Sequence, residues 1–95
     1  MNEEWRIIPR SKGQYEVSSL GRVRNRYTGR VRKLYVTRSG AKGVSLGGYV
    51  RRTVTVGQLV AEAFYGATPR RIKHKNGNAG DDRPENITWE DENEY

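Results

Sequence analysis

The sequence holds one histidine, His74, and it stands in a polar segment. Around it the chain reads Ile72-Lys73-His74-Lys75-Asn76-Gly77-Asn78, and then Asp81-Asp82-Arg83-Pro84-Glu85-Asn86-Ile87-Thr88-Trp89. An imidazole titrates near pH ~6.5, so it is the side chain best suited to take up a proton at neutral pH. A lone histidine is more often a satisfied polar residue than a catalyst, but here Asn86 follows at a separation of twelve residues. The second group that could do chemistry is a run of cations. Arg22, Arg24 and Arg26 precede Arg30, Arg32 and Lys33, and the string Gly-Arg-Val-Arg occurs twice, at 21–24 and 29–32.

The charge behind that run is large and uneven. The net charge is +7, yet residues 1–75 carry 17 basic and 4 acidic groups, while residues 76–95 carry Arg83 against 7 acids. So basic a body suits a polyanion, because each phosphate it neutralises releases condensed counterions. The plainer reading is a solvated cationic surface that aids solubility. With no cysteine, a disulfide framework and a thiolate zinc site are both excluded. No stretch approaches the roughly 20 apolar residues of a membrane span. The start, Met1-Asn2-Glu3-Glu4-Trp5, lacks the basic region and apolar run of a signal peptide. These features predict a soluble cytoplasmic protein, associated with the nucleoid of a host cell. They predict no membrane partner and no small-molecule cofactor, and leave the oligomeric state open.

The elements that must position these groups are short. With 95 residues, the chain makes one domain, or one with a small appended module. Glycines and Pro9 divide the first half into candidate strands at 5–8, 15–18, 22–26, 30–36, 44–46 and 52–56. The repeated Gly-Arg-Val-Arg strings read as the arms of a hairpin. A three-residue loop at Tyr27-Thr28-Gly29 would set Arg26 opposite Arg30 and Arg24 opposite Arg32, gathering Arg22, Arg24, Arg26, Arg30 and Arg32 on one face. Like charges facing each other across a sheet are destabilising, so such a face calls for a phosphate backbone to lie against it, or for arginines that splay into solvent. Gly47-Gly48 suggests a second hairpin, with a loop longer than two residues. One helix is clear: Val56, Leu59, Val60, Ala63 and Phe64 form an apolar stripe at helical spacing, with Thr55 to cap its start and Gly66 to end it.

At this point the residues resemble a known family. The segment His74-Lys75-Asn76-Gly77-Asn78 followed by Asp82-Arg83-Pro84-Glu85-Asn86-Ile87-Thr88-Trp89 is similar to the nuclease finger of the phage and intron-encoded HNH homing endonucleases. The spacing of His74 to Asn86 fits that pattern. Upstream, Glu4-Trp5-Arg6-Ile7-Ile8-Pro9 and Tyr15-Glu16-Val17-Ser18-Ser19-Leu20-Gly21-Arg22-Val23-Arg24 resemble the modular domain that precedes such fingers. Val54 and Val56, then Leu59-Val60-Ala61-Glu62-Ala63-Phe64, resemble its connecting helix.

The resemblance implies an α+β fold: a small twisted antiparallel sheet with one packed helix, then a ββα-metal-like finger lacking much of its closing helix. It divides the chain into a modular DNA-binding domain with connecting helix, 1–66, and the finger, 67–95. It implies metal-dependent cleavage or nicking of double-stranded DNA, from a phage or mobile element. His74 would take a proton from the attacking water, and Asn86 would hold the loop through its side-chain amide. A Mg or Mn ion would stabilise charge on the scissile phosphate. Arg22, Arg24, Arg26, Arg30, Arg32 and Lys33 would contact DNA.

The metal ligands are not identified, because the expected positions are altered. Lys73 stands where an acid or Asn precedes the histidine, and a cation cannot ligate Mg²⁺. Tyr95 falls where an Asn or His is expected, and the sequence stops there, before a closing helix could form. Gly57 replaces a histidine at the start of the helix. Three functions follow: an HNH endonuclease, a degenerate relative that only binds DNA and regulates access to it, or a phage inhibitor of a host protein.

Overall fold

The computed structural model describes residues 3–9, 11–46, 53–66 and 71–89. Strands β1 (Trp5–Ile7), β2 (Tyr15–Ser18) and β3 (Val23–Asn25) form one antiparallel sheet in that order. Strands β4 (Tyr35–Val36), β5 (Lys42–Ser45) and β6 (Thr53–Thr55) form a second, and β7 (Ile72–His74) pairs with β8 (Ile87–Trp89) in a third. Helix α1 (Val56–Tyr65) lies between the second and third sheets in sequence, and a 3-10 turn at Pro84–Asn86 leads into β8. The fold is mixed α+β, as expected, but the expected single sheet is divided in two. The physical cause is the segment 30–34, which leaves β3 after one bridge and carries no strand until Tyr35.

The hairpin of arginines closes differently from the expected one. Asn25 Oδ1 accepts the backbone N–H groups of Tyr27 and Thr28 at 2.9 and 3.0 Å, an Asx turn that fixes the first half of the loop. Gly29 sits at φ 74° and donates to the Asn25 carbonyl. The loop therefore has four residues, not three, and Asn25 N bonds Arg30 O. A register shifted by one residue follows: Arg24 bridges Val31, and Arg32 N bonds Val23 O. Since a one-residue slip sends every side chain to the other face, the two arms do not stack their arginines.

Apolar burial explains why these short pieces hold. Tyr15 and Val17 point inward from β2, Val23 from β3, Val44 from β5 and Val54 from β6. Across from them α1 presents Val56, Leu59, Val60 and Ala61, all fully buried. Its far side packs on β7, β8 and the 3-10 turn, and Ile87 joins the same core. The helix starts at Thr55 and ends at Gly66, whose φ of 116° few other residues adopt; the Thr55 side chain makes no cap bond. The expected turn at Gly47-Gly48 and the start of a strand at Arg52 lie outside the described residues.

Candidate active site

His74 ends β7, where it pairs with Ile87 of β8, a residue anchored in the core. Strand alternation turns the neighbouring Lys73 outward to solvent and His74 inward. There His74 Nε2 lies 2.8 Å from Asp82 Oδ1. Asp82 is only 4% exposed. Two glycines make room for it. A Cβ on Gly57 would stand 2.9 Å from Asp82 Oδ1, 3.3 Å from His74 Nε2 and 2.7 Å from Ile72 Cδ1, and one on Gly21 would stand 3.4 Å from Asp82 Cβ. Gly21 also has φ 83°, in the turn knitted by the Ser18 hydroxyl, which accepts from the Leu20 and Arg22 N–H groups. The second carboxylate oxygen, Oδ2, is buried without a hydrogen-bond partner among the described residues. Burial pushes the Asp82 carboxyl above its usual pKa, and this outweighs the opposing pull of the His74 hydrogen bond and of the His74 and Lys42 charges.

Asn86 does not touch the imidazole; its side chain fastens the loops on either side. It accepts the Asn76 N–H at 3.1 Å and donates through Nδ2 to Asn76 Oδ1 at 3.0 Å and to the Asp81 carbonyl at 2.8 Å. Lys75 N bonds the Asn86 carbonyl. The amide, 6% exposed, thus clamps the turn after His74 against the segment that delivers Asp82. Asp81 faces outward to a forked pairing with Arg83, at 2.8 Å to each oxygen. That pairing holds its carboxyl far below the usual range.

The cations fall into two sets. Arg22 forks onto Glu3 at 2.8 and 2.5 Å, and Arg24 binds Glu16 at 2.9 Å while lying 3.9 Å over the Trp5 ring. The Glu3 carboxyl is held down to about 2 by Arg22. Arg26, Arg30, Arg32 and Lys33 have no acidic partner among the described residues. Arg32 reaches the Ser45 carbonyl at 2.9 Å and lies over Tyr15; Arg26 makes only a long bond to the Gly13 carbonyl and lies over Tyr27. Arg30, Arg32 and Lys33 line an open groove with Val31, Tyr35 and Ser45. Uncompensated charge therefore gathers in the segment between the first two sheets.

Residues 3–47 match the NUMOD4 motif. A solved structure of the HNH homing endonuclease I-HmuI, described for DNA binding and cleavage, is similar to this chain with a TM-score of 0.76 and 31% identity. The chain thus carries a NUMOD4 motif and is similar in structure to an HNH homing endonuclease. The similarity covers 90% of this chain and 51% of the I-HmuI chain, so the present sequence spans about half the length of that relative. No curated protein matches it.

Within the segment 72–89, the residue that sequence reasoning missed is Asp82. The pattern marks an Asp or Asn before Arg83, but the sequence offers Asp81 and Asp82 side by side, and only packing decides which one enters. Gly57 was the available signal. Its lack of a side chain, a departure from the homing endonucleases in sequence, is what lets α1 approach the His74–Asp82 pair. Among the described residues no three of His, Cys, Asp and Glu gather to hold a metal ion. His74 and Asp82 face each other, Lys73 is a cation, and Tyr95 lies outside the described residues. The described residues do not by themselves fit a resident Mg or Mn ion.

Proposed function

We propose that this chain binds double-stranded DNA and hydrolyses a phosphodiester bond in it, as an HNH-type endonuclease with His74 as general base. The observation that carries this reading is the state of the imidazole. Nε2 is engaged by a buried carboxylate, no hydrogen bond occupies Nδ1 among the described residues, and Asn86 clamps the loops around the ring. An imidazole so held is prepared to take a proton from water. In this reading 1–66 contribute the cationic binding surface and 67–95 the finger, and the partner is duplex DNA of a phage or mobile-element host. The likeness to I-HmuI supports both parts. Any divalent ion would need ligands from beyond the described residues or from the DNA itself.

One observation favours a second reading, a DNA-binding module without cleavage: Lys73 stands beside His74, and the described residues assemble no metal cage. Supercoiled plasmid separates the two. With Mg²⁺ or Mn²⁺ the nuclease converts it to the nicked form, and His74→Ala slows conversion by on the order of 10²–10⁴ with duplex affinity unchanged. Absence of metal-dependent nicking by the wild type, with duplex binding intact, would leave the binding module.

A further inference from the structure

We propose that Asp82 is the positioning residue of His74: it takes the Nε2 proton into a fixed hydrogen bond and so makes Nδ1 the basic nitrogen. Once ionised, the Asp82 carboxylate only accepts hydrogen bonds, so the 2.8 Å contact then places the proton on Nε2 of the neutral ring. The lone pair then lies on Nδ1, which no described residue engages. A free imidazole exchanges between two tautomers and rotates about its side-chain bonds; this one is held in a single form and orientation.

The surroundings of Asp82 support a dedicated role. Its second oxygen is buried and meets no donor among the described residues, an arrangement that costs folding free energy. The slot it occupies is made by two glycines from separate elements, Gly21 in the β2–β3 turn and Gly57 in the first turn of α1. A side chain at Gly57 would meet both partners of the pair, since its Cβ would be 2.9 Å from Oδ1 and 3.3 Å from Nε2. The first sheet, the helix and the finger thus meet at one carboxylate. Asn86 adds the remaining restraint by tying the Asp81 carbonyl, one residue before Asp82, to the turn after His74.

The catalytic consequence rests on the nuclease reading, whereas the tautomer does not, and the test separates them. Because His74 is the only histidine, a ¹⁵N-labelled full chain gives a single imidazole spin system. In the neutral ring, the wild type is expected to show protonated Nε2 and bare Nδ1. Asp82→Ala is expected to show exchange between both tautomers, and Asp82→Asn is expected to lose the single wild-type form too, because its amide can donate to Nε2 as well as accept from it. Gly57→Ala leaves both partners chemically intact and is expected to disturb the same signals, which covers the case of a poorly folded Asp82→Ala. In plasmid nicking, Asp82→Ala and Asp82→Asn are each expected to lose at least about tenfold in kcat with KM unchanged. A single wild-type tautomer in a folded Asp82→Ala, or in Gly57→Ala should Asp82→Ala not fold, overturns the proposal. Full nicking by Asp82→Ala also overturns it while sparing the nuclease reading. Failure of the wild type to nick, with the tautomer shift present, removes the nuclease reading alone.

Discussion

At the scale of single residues, the site stores a cost in Asp82. Its carboxyl has a raised pKa in the folded protein, chiefly through burial, so the folded state holds a proton at pH values where the unfolded chain has released it. The sign follows: this group's contribution to stability falls as pH rises from its ordinary value of 3.8 through the raised folded value. Asp82→Asn removes the charge, so its advantage over wild type is expected to grow across that window and then level off. Urea unfolding of both proteins over a pH series measures this directly; equal pH profiles would show that the carboxylate is not strained. Glu3 works in the opposite sense. Its pKa of about 2 means that its pairing with Arg22 favours folding above 4.5 and is lost as pH falls toward 2. That contribution is small, because Arg22 is half exposed.

At the scale of elements, α1 is the piece on which the others depend. Its ten residues touch β1, β2, β5 and β6 on one side and β7, β8 and the 3-10 turn on the other. Among the described residues none of the sheets has more than three strands, too few for much independent stability. Leu59 is fully buried at the centre of that contact, so Leu59→Ala is expected to cost about 2–5 kcal/mol. Since the helix is shared, the loss should appear as one cooperative transition. Circular dichroism of the helix and the His74 imidazole signal should report the same urea midpoint in wild type and mutant. Two separate midpoints would instead assign the finger a stability of its own.

At the scale of the whole molecule, the electrostatic asymmetry is redistributed by internal pairing. Arg6, Arg22 and Arg24 are partly neutralised by Glu4, Glu3 and Glu16, which leaves the segment 30–33 as the stronger attractor for a phosphate backbone. Replacing Arg30, Arg32 and Lys33 together with Ala is expected to reduce the slope of log K against log salt by up to about 2.7, at ~0.9 for each lost contact. Replacing Arg22 and Arg24 is expected to change the slope less and to lower stability more, because their salt bridges and the Trp5 contact go with them. Fluorescence anisotropy of a labelled duplex over a salt series distinguishes the two. A larger slope change from the Arg22 and Arg24 pair would place the binding face on the first sheet after all.

Much of this was legible in the residues themselves. Helix α1 could be placed from Val56, Leu59 and Val60, because an amphipathic helix is a local pattern with its own period, and Gly66 ends it for a local steric reason. The finger was legible too, since a motif fixes spacing along the chain. What the sequence could not decide depends on groups far apart in it. The hairpin register turned on one Asx turn at Asn25, which added a residue to the loop and separated the arginines that alternation had stacked. The pairing of cations with Glu3 and Glu16 came from strand neighbours that only the sheet brings together. Asp82 became the partner of His74 because Gly21 and Gly57, 36 residues apart, converge on one slot. Local periodicity and steric preference are written residue by residue, but which of two adjacent aspartates is buried is settled by the packing of separate elements.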